Sequence, residues 1–140
     1  MVRSSVLWLV LTSVVPTAVQ AQEPPAPERL ATGFAFVEGP VWRAEDATVW
    51  FTDIPNERIL AWSPETGVRT CVERSGRANG LVVDRDGRLV ACLGGARQVV
   101  RFEADGRRTV LAESFDGKRL NSPNDLALDP DGGVWFTDPR

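Results

Sequence analysis

Glu38, Asn79 and Asn124 each open a short apolar run: Glu38-Gly-Pro-Val-Trp42, Asn79-Gly-Leu-Val-Val83 and Asn124-Asp-Leu-Ala-Leu128. The three openings lie 41 and then 45 residues apart. Carboxylate and amide oxygens are the donors that hard divalent cations such as calcium or magnesium take. The competing reading is that these side chains cap strand ends by bonding backbone N–H groups. Histidine is absent (His 0), which excludes Ser–His and Cys–His nucleophiles, His bases and His metal ligands from this chain. The two cysteines, Cys71 and Cys92, have no C-x-x-C spacing and argue only weakly for zinc. They are expected as separate buried strand residues rather than a disulfide.

The elements that must position those oxygens are visible in a repeat. About ten residues after each opening a second apolar run follows: Val49-Trp-Phe-Thr-Asp53, Leu89-Val-Ala-Cys92 and Val134-Trp-Phe-Thr-Asp138. The first and third of these are the same five residues, VWFTD. Asp84-Arg85-Asp86-Gly87 and Asp129-Pro130-Asp131-Gly132 separate paired runs with the residues that tight turns favour. A second hairpin follows in each complete repeat. Ile59 to Trp62 returns through Ser63–Gly67 to Val68–Val72, and Val99 to Phe102 returns through Ala104-Asp105-Gly106 to Thr109–Leu111.

Four short antiparallel strands every forty-odd residues is the spacing of propeller blades. The predicted fold class is therefore all-β: an incomplete β-propeller of about two and a half four-stranded blades. Blade one is placed at about 37–73, blade two at 78–113, and blade three begins near 123. Arg29–Phe36 reads as one further strand ahead of blade one. Trp42, Trp50, Trp62 and Trp135 are expected to pack within and between blades. Asp53 and Asp138 are read as structural residues at strand ends. The three openings begin the innermost strands, which line the central channel, so their side chains should converge on its axis.

The composition is that of a folded domain, 43% hydrophobic and 25% charged, with a net charge of -3 that gives no basic surface for nucleic acid. Arg3 and the apolar run Val6–Val15, with Val19 and Ala21 at a small-residue cleavage site, predict a signal peptide over 1–21. A retained membrane anchor is the alternative. The chain is thus expected to be exported, periplasmic or secreted, with no stable membrane insertion after cleavage. Residues 22–28 (QEPPAPE) form a Pro-rich spacer. Nothing in the sequence specifies an oligomeric state.

The segments Phe36-Val-Glu-Gly-Pro-Val-Trp42, Val49-Trp-Phe-Thr-Asp53, Asn79-Gly-Leu and Leu120-Asn-Ser-Pro-Asn-Asp-Leu126 resemble the SMP-30/gluconolactonase family, which includes regucalcin. The resemblance runs over residues 29–140. It implies a six-bladed propeller holding one divalent cation, calcium first, with zinc, magnesium or manganese as alternatives. It implies Glu38 as a metal ligand, Asn124 as a ligand or a contact to metal-bound water and substrate, and Asp125 as the substrate-facing, candidate catalytic residue. Asn79 carries over more weakly. Asn121 and Arg119, on the loop over the channel mouth, are the further substrate-binding candidates, with an ordinary solvated loop as the alternative.

The implied reaction is metal-dependent hydrolysis of a small sugar lactone. The family's remaining ligands, an asparagine and an aspartate that is the candidate base, belong to later blades. A chain ending at Arg140 is then expected to be an N-terminal part without activity of its own. The alternative function is a non-enzymatic propeller binding module, since VWFTD also resembles the YWTD repeats of receptor propellers.

Overall fold

The structure, a computed structural model, describes residues 25–140. The predicted signal peptide at 1–21 and the start of the spacer lie outside the described residues. Pro25–Glu28 of the spacer is irregular and exposed.

The chain runs through two four-stranded antiparallel sheets in simple sequence order. The first sheet holds β1 (Val37–Arg43), β2 (Thr48–Asp53), β3 (Arg58–Ser63) and β4 (Gly67–Glu73). The second holds β5 (Ala78–Val83), β6 (Leu89–Leu93), β7 (Gln98–Phe102) and β8 (Arg108–Ala112). A two-stranded hairpin of β9 (Ser114–Phe115) and β10 (Lys118–Arg119) follows, then a pair formed by β11 (Leu126–Leu128) and β12 (Val134–Phe136). These are two blades and the inner hairpin of a third. No helix occurs among the described residues.

The blades stack face to face, and β6 shows why the strand sequences look as they do. Successive strand residues point to opposite faces. Leu89, Ala91 and Leu93 enter a cluster shared with Ile59, Val41, Trp50 and Val72 of blade one. Val90 and Cys92 enter a second cluster with Val99, Leu126, Val134 and Phe136, reaching blade three. All five residues of β6 are buried, so the run has no polar alternation to read. Each fully buried Leu, Ile or Val contributes about 1.5–3 kcal/mol, so these two layers hold the blades together.

The innermost strands carry the local feature that matters for the site. β1 pairs with β2 with a register shift between Glu38 and Val41, and β5 pairs with β6 with a shift between Ala78 and Leu81. A bulge bends its strand and re-aims the side chains within it. In blade three, Thr137 N–H donates to Asp125 O at 2.9 Å and Asn124 N–H donates to Thr137 O at 2.9 Å. Two residues again face one. The turns after β5 and β11 close in the same way. Asp84 Oδ1 accepts from the N–H of Asp86 and Arg88, and Asp129 Oδ1 accepts from that of Asp131 and Gly133.

Several expectations are corrected. Arg29–Phe36 is not a strand: it has no strand alongside it among the described residues. It is held by the Asp53 carboxylate, by Ile54 N–H donating to Phe36 O at 3.0 Å, and by the Phe34 ring set edge-on to Phe51 with centroids 5.2 Å apart. Trp42 and Trp135 do not pack between blades but are 57% and 70% exposed, because no sheet faces them among the described residues. Cys92 is buried as expected, whereas Cys71, on the outer strand β4, is only half-buried, and the two are not bonded. The β9–β10 hairpin, between blades two and three, has no counterpart between blades one and two, so the repeat carries no sign of it. Its turn, Asp116 at φ 49° and Gly117 at φ 73°, needs the left-handed backbone that Asp and Gly tolerate best.

Candidate functional site

The three openings meet through their backbones. Thr52 Oγ1 donates to both Glu38 O and Asn79 O at 3.1 Å, so one buried hydroxyl ties the bulge of β1 to that of β5. Gly39, at φ +53°, lies so close to blade two that a Cβ there would sit 2.2 Å from Asn79 O. One blade further round, Gly80 N–H donates to Asn124 O at 2.8 Å. A Cβ on Gly80 would fall 2.5 Å from Asp125 Oδ1 and 2.9 Å from Asn124 O. Glycine at these two positions is a packing requirement, because each leaves room for the backbone of the following blade. The result is an ordered row, Glu38, Asn79, Asn124, with Asp125 laid against Gly80.

None of the side chains of Glu38, Asn79 and Asn124 forms a hydrogen bond among the described residues, although the backbone carbonyl of each accepts one. They do not cap backbone N–H groups. Glu38 and Asn124 are exposed and Asn79 is half-buried. Asp125 is also exposed; its Oδ1 accepts from Leu126 N–H at 2.9 Å, which leaves Oδ2 open.

The capping is done by other residues. Asp53 is fully buried and accepts from the N–H of Ala35 and Phe36, from Asn56 Nδ2 at 2.8 Å and from the Arg58 guanidinium at 2.8 Å. Burial alone would raise its pKa, but hydrogen bonds from Asn56, Arg58 and the two backbone N–H groups outweigh it and lower the carboxyl from 3.8 to about 2. Asp138 occupies the matching place in blade three. It accepts from Asn121 N–H at 2.8 Å and from Ser122 N–H at 2.7 Å. Both aspartates therefore hold the backbone three and two residues ahead of an opening residue. Blade two has Leu93 at that place, and there Ser75 Oγ accepts from Ala78 N–H at 3.2 Å. The signal that marks Asp53 and Asp138 was present in the sequence as the repeated VWFTD; their target was not.

The loop from Leu120 to Asp125 is pinned along its length. Leu120 N–H donates to Glu113 O at 3.1 Å, its carbonyl accepts from Arg97 Nε, and Pro123 is fully buried. A Cβ on Gly94 would meet Ser122 Oγ at 2.9 Å. Asn121 is exposed, and only its backbone is engaged. Arg119 lies in β10, not in a free loop, and its guanidinium donates to Ala96 O at 3.3 Å. The buried Cys92 thiol is pushed up to about 12 by burial first and then by the negative charges of Asp125 and Asp138, so it is no nucleophile near neutral pH.

No group of three or more His, Cys, Asp or Glu able to hold a metal occurs among the described residues. The oxygen donors in the row are one carboxylate, Glu38, and the amides of Asn79 and Asn124. By donor type they fit a hard cation; by number they supply only part of the six to eight oxygens that calcium takes.

A family model described as the SMP-30/Gluconolactonase/LRE-like region matches residues 36–140. A gluconolactonase of Zymomonas mobilis is 33% identical over 126 residues, covering 80% of this chain and 35% of that protein. The pentonolactonase XacC of Haloferax volcanii is 34% identical over 98 residues, covering 70% of this chain and 32% of that protein. The solved structure of a gluconolactonase from Xanthomonas campestris superposes with a TM-score of 0.72 at 40% identity, over 76% of this chain and 36% of that one. The chain spans about a third of the length of these relatives.

Proposed function

This chain belongs to the SMP-30/gluconolactonase/LRE-like family, and on that premise we propose that it contributes the first part of a lactonase site that hydrolyses sugar lactones after export. The carrying observation is the row of Glu38, Asn79 and Asn124, held by its backbone while its side chains stay unbonded. Side chains that spend no hydrogen bonds on the fold are available to a ligand. Relatives named as gluconolactonase and pentonolactonase support aldonolactones of six and five carbons as the substrate class. They give no support to a binding module.

Glu38 and Asn124 would hold a divalent cation, calcium first, with Asn79 between them. Bound there, the cation supplies Lewis-acid polarisation of the ring ester carbonyl. Asn121 and Asn124 orient the lactone through their amides. Asp125 turns its open Oδ2 to a substrate hydroxyl or to the water. Water adds its oxygen to the carbonyl carbon, the ring C–O bond breaks, and the ring oxygen leaves as a hydroxyl carrying a proton. The product is a hydroxy acid, which ionises and releases one proton.

That proton is the assay. The protein as its source organism makes it is given glucono-1,5-lactone and a pentonolactone in turn, with calcium, zinc, magnesium or manganese, in a pH-stat. Acid release above the spontaneous rate, lost with a chelator and lowered at least a hundredfold by Glu38→Gln, is expected. No acceleration with any of the four cations overturns the reading.

A further inference from the structure

Asp53 and Asp138 stand at the same place in the repeat and do the same thing to different backbones. Each accepts two successive N–H groups, Ala35 and Phe36 or Asn121 and Ser122. Each pair lies three and two residues ahead of an inner-strand opening, Glu38 or Asn124. Charge-assisted bonds of this type are about twice as strong as neutral ones and fix the direction of the chain entering the bulge. Blade two has Leu93 in place of the carboxylate, and the neutral Ser75 hydroxyl reaches only Ala78 N–H, one residue ahead of the Asn79 opening. The acidic clamp therefore goes with the two openings that carry the proposed cation ligands.

We propose that Asp138 and its counterpart Asp53 are positioning residues, which set Asn124 and Glu38 through the backbone ahead of them without touching the ligand. This rests on the lactonase reading. A loop held at both ends can still tilt between them. In blade three the ends are Leu120, held by Glu113 and Arg97, and Asn124, held by Gly80 and Thr137. Asp138 fastens the two residues in between, and Asn121, a proposed substrate contact, is one of them. An Asn at 138 keeps the shape but offers one acceptor oxygen and turns an N–H₂ toward a backbone N–H. Asp138 is half-buried and lies two residues beyond the end of β12, so losing its charge should leave the blade folded.

The test compares Asp138→Asn with Ser75→Ala, which removes a neutral side-chain bond to the backbone one residue ahead of Asn79, in the blade without the carboxylate. Amide exchange, calcium titration and lactone kinetics are measured on the protein as its source organism makes it. Asp138→Asn is expected to speed exchange at Asn121 and Ser122 at least tenfold and to weaken calcium binding or raise the lactone KM at least tenfold. Ser75→Ala should change either binding constant less than twofold, and Asp138→Glu should restore part of the loss. Unchanged exchange at Asn121 and Ser122 overturns the clamp. Faster exchange with unchanged calcium and lactone constants, or equal losses in the two variants, overturns the positioning role. A wild-type protein that neither binds calcium nor hydrolyses lactone overturns the underlying reading, a result distinct from either of those.

Discussion

The pentapeptide Val-Trp-Phe-Thr-Asp occurs twice, at 49–53 and 134–138, and the two copies meet different surroundings. In the first, Thr52 and Asp53 are fully buried and Trp50 packs against blade two, with the guanidinium groups of Arg43 and Arg69 5.4 and 5.7 Å from its ring centroid. In the second, Trp135 is 70% exposed and Thr137 is exposed as well. Strand pairing is alike in both: Trp50 lies opposite Val41, and Trp135 opposite Ala127. Identical residues in the same register thus share their pairing with the inner strand and their backbone contacts to Asp, although β12 ends at Phe136 while β2 runs through Asp53, and their burial is set by the sheet stacked against them. Energy follows burial, so the two copies should respond unequally to the same substitution.

The largest inequality is expected at the aspartates. Asp53→Ala leaves Arg58 without its buried partner and four donors without an acceptor, and should cost about 3 kcal/mol or more. Asp138→Ala strands two backbone N–H groups that water can reach, for about 1 kcal/mol. Urea unfolding midpoints measure both, and equal losses would break the comparison. The same carboxylate gives a pH signature. Because folding depresses the Asp53 pKa from 3.8 to about 2, its contribution is complete above about pH 4 and is lost as the pH falls through about 2. Asp53→Asn should flatten the acid limb of the stability curve, and an unaltered limb would contradict this account.

The tryptophans come next. Trp50→Ala opens a gap at the junction of blades one and two and should cost about 2–3 kcal/mol, less than a fully buried Trp because Trp50 keeps part of its surface in solvent. Trp135→Ala should stay within about 0.5 kcal/mol, apart from the loss of its bond to Asp129. The smallest inequality belongs to the threonines. Thr52→Val removes the hydroxyl that bridges Glu38 O and Asn79 O, for about 1 kcal/mol. Thr137→Val, whose hydroxyl accepts from Asp125 N–H at 3.2 Å, should cost less. A larger loss at Thr137 would show that the third inner strand is tied more tightly than the first pair.

Much of the blade pattern was legible because its causes are local. The turns at Asp84–Gly87 and Asp129–Gly132, the paired apolar runs and the recurrence of an oxygen-bearing residue at each inner strand all appear where the sequence places them. Asp53 and Asp138 were legible as repeated strand-end residues, but not as clamps, because the backbone groups they hold lie 18 and 17 residues from Asp53 and 17 and 16 from Asp138 and have no letter in the sequence. Gly39 and Gly80 stand in the sequence simply as the second residue of two of the openings. Only the neighbouring blade shows that they make room for Asn79 and Asn124.

The sequence by itself determined the antiparallel hairpins, their register and the residue type at each opening, since alternation, turn chemistry and repeat spacing act over a few residues. Tertiary structure alone decided which faces are covered, why β6 is apolar throughout, and that Glu38, Asn79 and Asn124 stand in one row with free side chains. Those outcomes depend on blades approaching at the distance of a missing Cβ, and on carboxylates reaching backbone far from them in the chain. Contacts of that range are created only when the sheets stack.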